Sequence, residues 1–147
     1  MAKSSKRQKS SIEKSSKAEE PVIHYRTVKR MPELANYPFA KFNKIATRVP
    51  FTLKEWANIL HLSERTLQRY SKSNSSFEGI YADRILHIEE LINLGLETFN
   101  NAGAFYDWLH KEKKILGHIF NFQSLYTTRG IQELIDQIIR IQQGVYT

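Results

Sequence analysis

The chain contains no cysteine. That excludes disulfides, thiolate metal sites and a cysteine nucleophile, and it fits the reducing interior of a cell, so a cytoplasmic location is expected. Proline is confined to Pro21, Pro32, Pro38 and Pro50, and after Pro50 there is no Asn-Gly, no Asp-Gly and no strictly alternating apolar run. Nothing in that stretch reads as a hairpin, and the ordered part is expected to be nearly all helix, an all-α fold. No run approaches the roughly 20 apolar residues of a membrane helix, and the N-terminus lacks the apolar segment of a secretory signal. The six glycines form no phosphate-cradling loop, and His24, His61, His87, His110 and His118 are scattered with no i, i+4 pair. With no glycine-flanked serine either, we expect no catalytic residue, no metal, no cofactor and no enzyme activity.

What is present is enough for one domain with a tail. The 147 residues include eight Phe, two Trp and seven Tyr, sufficient aromatic volume to build a core. The net charge of +7 resembles a nucleic-acid footprint, but its placement is uneven: residues 1–30 carry nine Lys and Arg against three Glu, leaving only +1 for the rest. The first 21 residues are almost all Lys, Ser, Arg, Gln and Glu, too polar to bury surface, and read as a disordered basic tail. Such a tail can follow DNA phosphates, solubilise the protein or be partly a cloning remnant; a charge run alone favours the solvated tail.

The stretch FTLKEWANILHLSERTLQRY, Phe51 to Tyr70, carries start signals for two short helices. Thr52 and Glu55 have capping-box spacing, with Phe51 and Trp56 placed to staple the chain as it enters the first helix. Ser63 caps the second, with Leu62 and Leu67 at the staple positions and Glu64 set against the positive helix end. Ala57 is small where two steeply crossing helices approach, while Trp56, Leu60, Leu62, Leu67 and Tyr70 face inward. This spacing predicts a helix-turn-helix DNA reader. One residue departs from the usual pattern: the turn holds His61 where glycine is commonest, and left-handed geometry costs histidine free energy.

In such a motif the second helix lies in the major groove. Arg65, Gln68 and Arg69 are the candidates to read base edges, since Arg forks onto guanine and Gln onto adenine. Glu64 projects outward with these three, while Ser63, Thr66 and Lys72 are better placed for phosphates. A capped helical hairpin with a solvated charged face is the plainer alternative. One module buries too little surface to single out a site, so a homodimer on a two-fold operator is implied.

Before this motif Phe39, Phe42, Ile45 and Val49 predict a short helix ending at Pro50. After it, SKSNSS reads as a linker, and Ser75 with Glu78 as another capping box. Tyr81, Ile85, Ile88, Ile92 and Phe99 predict a helix from about Glu78 to Phe99 that joins two lobes. Asn100, Asn101 and Gly103 mark its end; Phe105, Trp108 and Leu109 form a short helix before a loop from Lys111 to His118. Ile131, Leu134, Ile135, Ile138 and Ile141 predict a last helix, with Gly144 where a left-handed cap residue belongs. The divisions expected are a tail (1–21), a helix-turn-helix domain (22–76) and a connecting helix with a small C-terminal domain (77–147).

The C-terminal order is Glu97 and Phe99, Trp108-Leu109, Leu116-Gly117, Leu125, Thr127 to Gly130, Glu133, Asp136, Arg140-Ile141 and Gly144-Val145-Tyr146. It resembles the toxin-binding domain of the Xre/MbcA/ParS-type antitoxins, whose architecture also places a helix-turn-helix upstream. The resemblance covers roughly Phe39 to the terminus and is most specific in RGIQELIDQIIRIQQGVYT. The chain departs from it at His118, where the family usually has a second glycine, and at Asn121, where it has proline. The resemblance implies an antitoxin that represses its own operon and covers the active-site entrance of a cognate toxin, most often a RES-domain enzyme that depletes NAD. Arg140, Gly144, Val145, Tyr146 and Thr147 become the candidate toxin contacts, with the terminal carboxylate positioned to pair with arginines of a basic cleft. Arg140 has a second reading as a partner of Glu133 or Asp136 on its own helix. A free-standing regulator with a ligand-sensing or dimerising C-terminal domain is the other reading, and an inhibitor that no longer binds DNA a third.

Overall fold

The computed structural model describes residues 36–144, all within one compact unit, Glu33–Thr147. The expected basic tail and the last three residues lie outside the described residues. The architecture is predominantly helical, and none of its helices is long and apolar enough to cross a membrane. The expectation that no hairpin interrupts the helices needs correcting, because two small antiparallel ribbons accompany them.

Strand β1 (Tyr37–Pro38) pairs with β2 (Ser76–Phe77), Tyr37 facing Phe77. Helix α1 (Phe39–Ala46) follows at once and buries Phe42 and Ile45. It stops four residues short of Pro50 rather than reaching it, its end tightening through Arg48 N–H to Ile45 O (3.1 Å) and Val49 N–H to Ala46 O (3.4 Å). A residue preceding proline is pushed out of helical geometry, so Val49 leaves the helix yet keeps its side chain buried. Arg48 then donates to Asn93 Oδ1 (2.8 Å), tying this turn to the long helix.

Helix α2 (Leu53–Leu60) starts on the expected capping box: Thr52 Oγ1 accepts from Glu55 N–H (3.0 Å), and Glu55 Oε1 accepts from Thr52 N–H (2.9 Å). Phe51 and Trp56 meet with ring centroids 5.1 Å apart, the staple that the sequence suggested. Helix α3 (Glu64–Ser73) is capped by Ser63, whose Oγ accepts from Thr66 N–H at 3.0 Å. It outlasts Tyr70 by three residues, so half of the expected linker is helix; Asn74 ends it in left-handed geometry (φ 53°) and Ser76 enters β2. Ser75 caps nothing. The residue preceding α4 (Gly79–Thr98) is Glu78, without a side-chain cap, and the Ser75 hydroxyl bonds Ser73 Oγ instead. The boundary expected between residues 76 and 77 falls inside β2, where Phe77 is buried against Phe42 and Tyr70.

At 20 residues, α4 spans about 30 Å and buries Ala82, Ile85, Ile88, Leu91 and Ile92. Gly95 lets the ring of Phe105 lie directly on the helix backbone; a Cβ there would overlap that ring. Helix α5 (Ala102–His110) is capped by Asn101, whose Oδ1 accepts from Ala104 N–H (2.7 Å), which places Gly103 inside α5 rather than at the end of α4.

The expected loop from Lys111 to His118 is a hairpin, β3 (Lys113–Ile115) with β4 (His118–Phe120). Its two-residue turn, Leu116 (φ 50°) and Gly117 (φ 86°), has both central residues left-handed, the geometry that matches strand twist. One face of the ribbon buries Ile115 and half-buries Lys113 and Phe120; the other exposes Lys114 and Ile119. The Lys113 ammonium sits 4.4 Å from the Trp108 ring centre and donates to Lys111 O (2.6 Å). Burial and then the Lys111 charge nevertheless lower its pKa to about 8.

A short 3-10 helix (Phe122–Tyr126) leads into α6 (Thr128–Gln142), where Thr127 Oγ1 accepts from Gly130 N–H at 3.0 Å. Helix α6 buries Ile131, Leu134, Ile135 and Ile138 and packs most extensively against α4. One apolar cluster runs from Tyr37 to Ile138 without interruption. Gly130 is needed for close approach: a Cβ would collide with the Ser124 carbonyl of the 3-10 helix, backbone that cannot rotate away. Gly130→Ala is therefore expected to destabilise the fold by about 1–3 kcal/mol, read from denaturant melts followed by circular dichroism.

Candidate nucleic-acid interface

Helix α3 divides its surface cleanly. Leu67 is buried and Tyr70 half-buried against α2 and β2, which sends Arg65, Gln68, Arg69 and Lys72 to solvent. These four side chains line one shallow depression of about 310 Å³. The sequence-derived base-reading residues are thus brought together on one face with Lys72. Arg69 lies with its guanidinium 6.0 Å from the Tyr70 ring centre, which restrains its stem. Ser63 and Glu64 are also exposed at the start of the helix. The Ser63 hydroxyl is already engaged, accepting from Thr66 N–H and donating to Thr66 Oγ1 (2.9 Å). Of the three phosphate candidates, Ser63 and Thr66 are bonded to each other, while the Lys72 head group has no partner among the described residues.

Helix α2, which supports α3, is held at both ends by residues far along the chain. At its first turn the Glu55 carboxylate accepts from Tyr106 Oη (3.1 and 3.0 Å to its two oxygens) and from His110 Nε2 (2.9 Å), besides closing the capping box. The His110 ring stacks on Phe122 with centroids 4.3 Å apart and planes 18° apart. Burial, then the hydrogen bond to Glu55, push the Tyr106 phenol above its usual pKa, so it remains a donor. At the other end, His61 takes left-handed geometry (φ 60°, ψ 40°) and its Nε2 meets the Tyr126 carbonyl oxygen at 2.7 Å. Asn58 Nδ2 donates to Tyr126 Oη (3.3 Å), and Arg84 Nη1 to the Tyr126 carbonyl (3.3 Å). Neither clamp was foreseen from sequence; the histidine in place of glycine was its one visible sign.

The second group of candidates sits at the far end of α6. Arg140 is half-buried and donates to Gln137 Oε1 (3.0 Å), rather than to Glu133 or Asp136; Asp136 instead accepts from Gln132 (3.0 Å). Gly144 has φ 78° and follows the last helical turn, its N–H bonded to Ile141 O (3.0 Å). Val145, Tyr146 and Thr147 lie outside the described residues.

An indole is the exception to an otherwise satisfied interior: among the described residues, Trp56 Nε1 is the buried side-chain polar atom without a hydrogen-bond partner. It belongs to a ring set nearly perpendicular to Phe42 (centroids 4.9 Å, 83°), an edge-to-face arrangement that suits the positive edge of the indole.

No protein-family model matches the chain, and no curated protein is significantly similar to it. The Glu55 clamp carries a consequence for stability. Glu55→Ala removes a capping residue and strips acceptors from Tyr106 and His110, so a loss of about 1–3 kcal/mol is expected in thermal or denaturant melts.

Proposed function

We propose that this chain is the antitoxin of a toxin–antitoxin pair, repressing its own operon through DNA binding and neutralising a cognate toxin with its C-terminal end. Helices α2 and α3 act as a helix-turn-helix, with α3 in the major groove. The observation that carries the DNA half is the exposed face of α3, where Arg65, Gln68, Arg69 and Lys72 converge while Leu67 anchors the opposite side. Arg65, Gln68 and Arg69 read base edges; Lys72, with Ser63 and Thr66 at the helix start, meets phosphates, and Glu64 faces the same surface. Two copies on a two-fold operator supply the discrimination that one module lacks.

The toxin half rests on the resemblance of the C-terminal residues, supported by the left-handed backbone of Gly144, which ends the helix. In this reading Tyr146 and Thr147 enter the cleft of a RES-type, NAD-degrading toxin, with Arg140 at the rim. Both partners are cytoplasmic.

Two measurements test the halves separately. Arg65→Ala should cost about 1–3 kcal/mol of operator affinity and relax base preference at one position. Specific operator binding that survives combined alanine substitution of Arg65, Gln68 and Arg69 would reject the recognition helix. For the other half, deletion of residues 145–147 should abolish rescue of growth from the product of the adjacent toxin gene while leaving operator binding in place. Full rescue by the truncated chain would reject the C-terminal probe.

A further inference from the structure

Histidine at position 61 is costly where it stands. A left-handed turn between α2 and α3 accepts glycine freely and other residues reluctantly, because Cβ crowds the backbone. What histidine supplies that glycine cannot is reach: its Nε2 contacts a carbonyl 65 positions away in sequence, at 2.7 Å. A carbonyl only accepts, so Nε2 carries the proton and donates.

Resting on the DNA-binding reading, we propose that Tyr126 is a positioning residue for the recognition helix, holding the α2–α3 turn through the His61 bond to its carbonyl and the Asn58 bond to its hydroxyl. The acceptor is itself held. Arg84 of α4 donates to the same carbonyl, so both of its lone pairs have partners. Thr127, directly after Tyr126, bonds back to Ser124 O (3.4 Å) and caps α6 through Gly130 N–H. Asn58 adds a second point of attachment one turn before His61. Ser63, the cap from which α3 starts, is only two residues beyond His61, so the orientation of the turn is the orientation of the first reading residues. The C-terminal half thereby sets how α3 is presented, while among the described residues the depression on the reading face is lined by α3 alone.

The test uses the full chain and its operator fragment, with binding measured over a series of salt concentrations. His61→Gly frees the left-handed turn but cuts the tether. It should keep a melting temperature close to that of the wild type while operator affinity falls about three- to tenfold at unchanged salt slope. Affinity equal to the wild type would overturn the proposal. So would a loss accompanied by a shallower salt slope, which would mark His61 as a phosphate contact in its own right. Tyr126→Phe keeps ring and carbonyl and removes only the Asn58 bond: a loss of about twofold is expected in the wild-type background and none in Asn58→Ala. Equal losses in both backgrounds would overturn the pairing. Failure of the wild type itself to bind the operator would overturn the DNA-binding reading and this role with it, an outcome distinct from normal binding by His61→Gly.

Discussion

An eight-residue helix cannot hold itself in place, and the geometry of this protein turns on how α2 is held. So short a helix barely outlasts its nucleation cost, and its direction is set by what grips its ends. Here the grips are Glu55 and His61, and both reach into the C-terminal half, to Tyr106 and His110 at one end and to Tyr126 at the other. Helix α3 packs against α2, with Leu67 buried in the common core, and inherits that orientation. The apolar cluster from Tyr37 to Ile138 supplies most of the free energy of folding, but apolar contact is non-directional; the hydrogen-bonded ends of α2 decide the angle.

The contact at Glu55 also shows why a half-buried carboxylate can be a good anchor. Three donor groups converge on it, the Thr52 amide, the Tyr106 hydroxyl and His110 Nε2, so its charge loses water but gains hydrogen bonds of the stronger, charge-assisted kind. The flat stacking of His110 on Phe122 fixes the ring that makes the third bond. Helix cap, aromatic packing and charge are here one unit, and weakening any member loosens the others.

Local signals in the sequence reported local structure well. Thr52 with Glu55, Ser63, and the isoleucines of α6 each declared a helix start or an inward face, because caps and 3.6-residue periodicity are set by neighbours in sequence. The hairpin escaped because its turn is Leu116-Gly117 rather than Asn-Gly, and its strands are three residues long, too short for alternation to register. The Ser75 cap failed because the backbone around it was claimed by β2, whose Phe77 pays in buried area against Phe42 and Tyr70. For the candidate interface, Arg65, Gln68 and Arg69 were legible as one outward helical face, and the structure adds Lys72 to them. The clamps beneath it were not: a bond between residues 61 and 126 leaves no periodic trace in either segment.

On the operator-binding reading, the uneven charge divides affinity from specificity. Residues 31–147 carry a net charge of only +1, against +6 in the first 30. A nearly neutral body gains little from diffuse attraction to phosphates, so its hold on DNA must come from the few cations that α3 presents in register, each effective only if the helix is angled correctly. The dense charge before residue 31 attracts any polyanion without regard to sequence. Discrimination between sites is then a property of angle more than of charge, which is why a single histidine in a two-helix turn, bonded to a carbonyl across the fold, bears on what the protein can recognise.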